Sequence, residues 1–480
     1  MTTASALIDI GGSSVKVTIS DVSAGKIYSH EVPTVPKVEG RHIYLEPNYL
    51  FTHVIKAMNA TADKLPSGVQ IGNLYISTLR QGFCLVQDSV EITPIYLNSD
   101  TSGESARSDI EDYGSNKIYE ETGHWFAPQL TLPKLINLMR VKPELIDKHS
   151  KLLFVHDWLV WKFTHILLTE MTLVSAGQLA KLEEKKSYTE LLDYFRIPSS
   201  LLPEPQKFGT DLGSLSTGVQ AELTSHWSAT KLCVGGGDSH FLHMGSSGNK
   251  SGKVVVSAGS STPITLLTPD LGKSTILQPW KSTSFSDSDY LLEGNLGYPG
   301  SFFGWLEQNS STPLTSNRVN IEAVSKAPTV FGSCNMWNEQ KWESRPAFSI
   351  MGDFSNSNSS DLALGLTLDY AYSLAHQISA LKSDGFEIEQ VIITGGGANS
   401  QIQSILSCLV DVPVELISTD VAVGNLFSQL SGVSTHPITF DSEIERLDEE
   451  TSEFLRERSK SHTRLYEQVE GTRRVLENAR

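Results

Sequence analysis

The chain has 480 residues, 39% hydrophobic and 19% charged, too long for one ordinary core and pointing to two domains of roughly 200 or more residues each. A formal net charge of −17 excludes a broad nucleic-acid face, which would be basic, but not a local phosphate pocket. No apolar run approaches the roughly 20 residues that cross a bilayer, MTTASALIDI lacks the pattern of a signal peptide, and Cys84, Cys233, Cys334 and Cys408 form no CxxC pair, so a cytoplasmic chain with reduced thiols and no membrane or nucleic-acid partner is expected.

In chain order, residues 5–20 read as two apolar runs, ALIDI and VKVTIS, joined by Gly11, Gly12, Ser13 and Ser14, which predicts a hairpin with a glycine turn. NLYIST at 73–78 is an apolar strand that delivers Arg80 and Gln81 at its end, where α/β sheets place ligands. Residues 97–110 read as a polar loop and 133–148 as a helix. KLCVGGGDSHFLHMG at 231–245 runs from a strand through three glycines towards a helix opening at Asp238. The polar stretch SSGNKSG at 246–252 is the expected boundary, dividing 1–247 from 248–480. Beyond it, KVVVSA, Gly259, Ser260, Ser261 and TPITLL repeat the hairpin pattern. Aligning GSSV (12–15) with GSST (259–262) gives an offset of 247 residues, about half the chain, which suggests two related domains. FSNSNSS at 354–360 reads as a loop, 361–382 as a helix, and VIITGGGANSQIQSIL at 391–406 as strand, three glycines, helix. The charged tail from 441 carries Ile444, Leu447, Phe454, Leu455, Leu465, Val469 and Leu476, a pattern for an amphipathic helix docked on the body. Alternating strands and helices make the class α/β.

Phosphoryl transfer needs amides and hydroxyls around phosphates, a carboxylate-held metal and an oriented nucleophile. Glycine turns supply the first, because only glycine lets backbone approach phosphate closely. In DIGGSSVK, Asp9 could hold magnesium and Ser13 and Ser14 could donate to phosphate oxygens, or the segment is an ordinary hairpin. Gly259, Ser260 and Ser261 could form an opposing clamp, or a plain serine-rich turn. TGGGANS at 394–400 leaves room for a flat ring or a phosphate. Neither GxxxxGK[ST] nor GxGxxG occurs, which disfavours a Walker loop and a dinucleotide fold. Asp238 can accept a proton from a substrate hydroxyl, or simply cap the helix that follows. His240 and His243, three apart, could suggest a metal site, but no third ligand spacing accompanies them.

The ordered set DIGGSSVK, VGGGD, SAGSST and ITGGGANS resembles the two phosphate motifs, the catalytic aspartate motif and the adenosine motif of the FGGY carbohydrate kinases, within the actin-like superfamily. ETGHWFAPQLTLPKL (121–135), HDWLVWKFTH…SAG (156–177) and GYPGSFFGWL (297–306) resemble intervening segments, so the likeness covers nearly the whole chain. It implies two actin-like (ribonuclease H-like) domains flanking a catalytic cleft, the sugar bound on the first and ATP mainly on the second. It implies Asp238 as catalytic base, with Asp9 and Asp238 at Mg2+. Gly12, Ser13, Ser14, Gly259, Ser260 and Ser261 would surround the phosphates, and Gly396, Gly397 and Asn399 would border the adenosine. STLRQG (77–82) is similar to the substrate strand end of glycerol kinases and closer to that of autoinducer-2 kinases, which makes Arg80 and Gln81 polyol-binding residues, with Gln129 a further candidate. The family's acidic residue after the arginine is Gln81 here, and its downstream D-x-R is Asp100-Thr101-Ser102, so ketose, polyol and autoinducer-2-like substrates all stay open, as does a homodimer. The rivals are an ATP-driven chaperone or filament protein of the same fold, against which GGGD and Arg80 argue, and a degenerate kinase, against which Asp9 and Asp238 argue.

Overall fold

The computed structural model describes residues 3–21, 24–272, 277–309, 318–333, 349–352, 358–431 and 446–478. Cys334, residues 354–357 of the expected loop and Ile444 lie outside them. The chain divides into two compact units: Met1–Gly245 with Lys281–Tyr290 and a piece beginning at Gly424, and Ser246–Trp280 with Leu291–Val423 and the C-terminal helix.

In the first unit the strand Thr3–Ile10 pairs antiparallel with Ser14–Asp21, matching the expected glycine hairpin. It lies inside the sheet, between Ser14–Asp21 and the parallel strand Gln70–Thr78, and Ala4–Ile8 and Ile10 are buried, as on a strand covered on both faces. Helix Pro47–Ala62 opens with proline in its first turn and buries Leu50, Val54 and Met58, a stripe spaced by four residues. With Ile8, Val15, Val17, Ile76, Leu232 and Trp158 they form one core. The parallel register sets Asp9 opposite Ser77 and Ile10 opposite Thr78. The two-residue strand Gly236–Gly237 joins the same sheet, with Gly236 opposite Ser77 and Gly237 opposite Thr78. Three segments far apart in sequence thus end at one level. Past this level the chain turns at Arg80–Gly82 and enters a second sheet through Phe83–Gln87.

The second unit repeats the scheme. Lys253–Ser257 pairs antiparallel with Pro263–Thr268 and parallel with Gln390–Thr394, which pairs parallel with Val414–Leu416. Helix Ser359–Ser383 starts with a capping box of Asn358 and Asp361. The C-terminal helix Glu449–Asn478 packs Phe454 and Leu455 against Val324, Leu364, Leu368 and Ile405, and Tyr466 and Val469 against Phe331.

Three expectations need correction. The helix expected at 133–148 runs Thr131–Val141, because Pro143 can neither donate a backbone hydrogen bond nor let the preceding residue stay helical. The stretch 97–110, expected as a loop, becomes helical at Ser102–Ala106 and Arg107–Tyr113, where Ala106 and Ile110 bury apolar surface that a polar-looking sequence conceals. Leu465, expected on the docked face of the tail, is exposed.

Candidate active site

Asp9, one residue before the end of its strand, has one carboxylate oxygen accepting from the Ser77 hydroxyl at 2.7 Å, a bond made possible by the parallel register. Burial pushes its carboxyl up to about 6, against the Ser77 bond and with the help of the Asp238 charge. Gly12 and Ser13 in the turn that follows are exposed and Ser14 is half-buried. That turn is closed by Gly11 N–H donating to Ser14 O at 3.0 Å.

The second carboxylate comes from the glycine loop. A Cβ on Gly235 would lie 1.9 Å from Ile76 O, and one on Gly236 would meet Phe285 at 2.7 Å and Glu170 Oε2 at 2.9 Å. Glycine is required there by close approach, not by unusual dihedrals. Asp238 then opens helix Asp238–Ser247 and accepts from Ser239 N–H at 2.7 Å, so it satisfies one amide at the helix start. Its side chain is nevertheless 43% exposed, and Arg80 Nε stands 3.3 Å from its Oδ1 with the Arg80 side chain 10% exposed. A Cβ on Gly237 would press on the Arg80 stem at 2.9 Å. The two readings of Asp238, cap and functional carboxylate, are thus compatible. His240 Nε2 meets Thr283 O at 2.8 Å, and burial, with Arg80 nearby, holds its imidazole down at about 3. Among the described residues no group of three or more His, Cys, Asp or Glu could hold a metal. Magnesium asks for less, one or two carboxylates with phosphate oxygens and water completing its shell. Asp9 and Asp238, close enough to repel, fit that demand.

Gln81, next to Arg80, has φ +64°, strained for a residue with a Cβ. Its carbonyl is gripped by Lys134 Nζ at 2.8 Å and Thr131 Oγ1 at 3.1 Å, and Lys134 also donates to Leu97 O at 2.9 Å. Burial pulls the Lys134 amine down to about 7. Gln81 Nε2 is buried with no hydrogen-bond partner among the described residues. Gln129 is half-buried in the turn before helix Thr131–Val141. Asp100 is wholly enclosed, accepting from Ile43 N–H at 3.0 Å and from Ser102 N–H at 2.9 Å, so it serves the backbone.

In the second unit, Gly259 and Ser260 are exposed and Ser261 half-buried at the end of Lys253–Ser257. The parallel pairing brings Gly395–Asn399 beside them: Gly397 N–H donates to Ala258 O at 2.8 Å. Asn399 is the N-cap of helix Ser400–Leu409, its Oδ1 accepting from Ile402 N–H at 3.0 Å and its Nδ2 donating to Gly397 O at 3.2 Å. Gly396 faces open space, whereas Gly395, at φ +99°, would place a Cβ 2.6 Å from Ala258 O. On the expectation that this loop borders adenosine, Gly395→Ala should weaken ATP binding about fivefold or more, from strain of about 1–3 kcal/mol, with sugar affinity unchanged. Separate calorimetric titrations of ATP and sugar check this, and intact ATP affinity would remove the loop from the nucleotide site.

Several contributors escaped the sequence reading. Gly300 lies in the GYPGSFFGWL segment, and a Cβ there would sit 2.0 Å from Gly259 O, so the 259–261 turn rests against the start of helix Pro299–Asn309. Lys134 carried a signal, as a lone lysine amid the apolar residues of TLPKLINL. His156, Thr172 and Glu170 carried none outside the family-like segment that contains them. Glu170 is pushed up to about 8 by burial.

Residues 5–245 match the model for the FGGY family of carbohydrate kinases, N-terminal domain. The sugar-kinase relative YoaC of Bacillus subtilis is 26% identical over 269 residues, 55% of this chain and 53% of that protein. A glycerol kinase of Burkholderia cenocepacia is 25% identical over 302 residues, 60% of this chain and 59% of that protein. The matched stretches thus span a little over half of these relatives' own length. Among solved structures, a xylulose kinase from Rhodospirillum rubrum matches with a TM-score of 0.82 at 15% identity, covering 98% of this chain and 100% of that one. A gluconate kinase from Lactobacillus acidophilus matches with a TM-score of 0.78 at 17% identity, covering 98% of each. At such identities the likeness is one of fold.

Proposed function

Because the chain belongs to the FGGY family of carbohydrate kinases, we propose that it transfers the γ-phosphoryl group of ATP to a hydroxyl of a small carbohydrate, with Asp238 as the base. The observation that carries this reading is the level shared by Asp9, Ser77 and Gly236, which delivers Asp238 beside Arg80 at 3.3 Å at the carboxyl ends of parallel strands, where such sheets bind ligands. A guanidinium at this distance helps to aim the carboxylate, which can accept the hydroxyl proton as the oxygen attacks phosphorus.

The roles divide between the units. On the first, Arg80, Gln81, Gln129 and Asp238 orient the sugar, and the exposed turn of Gly12, Ser13 and Ser14 offers hydrogen-bond donors to phosphate. On the second, Gly259, Ser260 and Ser261 offer the same, while Gly396, Gly397 and Asn399 border the adenosine. Asp9 and Asp238 would hold Mg2+, which when bound neutralises phosphate charge. The relatives' names span glycerol, xylulose and gluconate, which supports the carbohydrate class as acceptor. Among the described residues no helix is long and apolar enough to cross a membrane.

The test is ATP consumption against a panel of ketoses, polyols and the autoinducer-2 precursor. ADP release that depends on one acceptor is expected, and release that ignores every acceptor would overturn the reading. Arg80→Ala on the preferred sugar should lower kcat/KM about tenfold to a hundredfold, since bonds to a charged donor carry roughly 1.5–3 kcal/mol. Calorimetry should show ATP affinity little changed. Wild-type sugar kinetics with lowered thermal stability would make Arg80 a purely structural partner of Asp238.

A further inference from the structure

The loop that delivers Asp238 is held by two side chains outside every phosphate and nucleotide motif. Gly235 N–H donates to His156 Nε2 at 3.0 Å, so that nitrogen carries no proton. The imidazole proton then sits on Nδ1 and is donated to Asp157 Oδ1 at 2.8 Å. Asp157 is fixed in turn, its Oδ2 accepting from Thr169 Oγ1 at 2.7 Å and from Phe154 N–H at 3.3 Å. His156, Asp157 and Thr169 are all fully buried. One residue from Asp238, Gly237 N–H points at Thr172 Oγ1 at 3.4 Å. Thr172 donates its hydroxyl to Glu170 Oε2, which also accepts from Thr172 N–H at 2.9 Å. Each relay starts at a loop amide and ends on a buried acidic side chain, and both arise from residues 156–172. Between them the loop is walled by Ile76 on one side and by Phe285 and Glu170 on the other.

We propose that His156 and Thr172 are positioning residues for Asp238, setting where its carboxylate stands relative to the acceptor hydroxyl. The inference rests on the reading of Asp238 as the base. The aspartate side chain is 43% exposed and takes its place largely from the backbone that carries it. A loop amide released from its acceptor lets that backbone shift, and misplacement of about 1 Å can lower a rate about a hundredfold. An imidazole that accepts from a backbone amide while donating to a carboxylate has its tautomer and ring plane set from both sides. Simple packing would not need this.

Steady-state kinetics on the full chain with ATP and its sugar test the proposal. His156→Leu, which removes the acceptor, should lower kcat about tenfold to a hundredfold with the KM for ATP within about twofold. His156→Gln, whose Oε1 can replace Nε2, should return kcat to within about threefold of wild type even where the melting temperature stays low. Thr172→Val should lower kcat about fivefold or more, and Thr172→Ser should restore it. In an Asp238→Asn background both losses should vanish, since the loop then has no base to place. Should His156→Leu fail to fold, the Thr172 pair decides alone. Folded His156→Leu and Thr172→Val proteins with wild-type kcat would overturn the proposal and leave Asp238 standing. So would a loss shared equally by Leu and Gln and tracking stability. Near-normal turnover of Asp238→Asn alone would instead remove the reading of Asp238, and this inference with it.

Discussion

Asp238→Asn is expected to lower kcat by about 10²-fold or more while the Kd for ATP stays within about twofold. The amide keeps one oxygen in place, so it can still accept from Ser239 N–H, the bond that the carboxylate makes at 2.7 Å; the helix start and the fold should survive. The amide cannot accept the proton of the attacking hydroxyl, and general-base contributions run about 10²–10⁴-fold. It also presents no charge to Arg80, whose Nε lies 3.3 Å from the carboxylate, so acceptor alignment weakens as well. Turnover with the preferred sugar and calorimetry with ATP are the two measurements needed. Near-normal turnover would sink the assignment of the base.

Gly235→Ala should be comparably severe by a different route. Its new Cβ would meet Ile76 O at 1.9 Å, Ile76 C at 2.8 Å and Ile76 N at 2.9 Å. All three are backbone atoms of a central strand and none can swing aside, so the loop itself must retreat by about 1 Å. Overpacking of this kind costs about 1–3 kcal/mol. The retreat also stretches the 3.0 Å bond from Gly235 N–H to His156 and carries Asp238 off its position, worth about a hundredfold in kcat. Gly218→Ala is the control: the position is helical and nothing lies within 4 Å of a Cβ there, so the melting temperature should hold or rise slightly and kcat should not change. Wild-type stability and turnover in Gly235→Ala would show that the loop tolerates displacement and that close packing on Ile76 does not set the site.

Much of the site was legible because glycine turns and apolar strands are local features. DIGGSSVK at 9–16 and KVVVSAGSST at 253–262 announce strand, turn and strand from neighbours alone, and the strands Thr3–Ile10, Ser14–Asp21, Lys253–Ser257 and Pro263–Thr268 follow. The run through Gly397 towards Ser400 likewise announced a strand and a helix, Gln390–Thr394 and Ser400–Leu409. Less visible was which glycine faces what. Three glycines in a row look alike in sequence, yet Gly396 faces open space while Gly395 is pressed on Ala258. The Asn399 side chain, expected at the adenosine, also holds the helix start.

From the sequence by itself came the glycine turns, the two carboxylates, the arginine at a strand end and the order of motifs that resembles one kinase family. Each depends on residue type and on spacing over a few positions, where backbone sterics and side-chain chemistry act directly. Tertiary structure alone decided that Asp9, Ser77 and Gly236 share one level, that Arg80 stands against Asp238, that Lys134 grips the strained carbonyl of Gln81, and that His156 and Thr172 take the amides of Gly235 and Gly237. Those meetings join residues dozens to hundreds of positions apart. They are set by the register of parallel strands and by the burial of a shared core, and neither leaves a local periodicity to read.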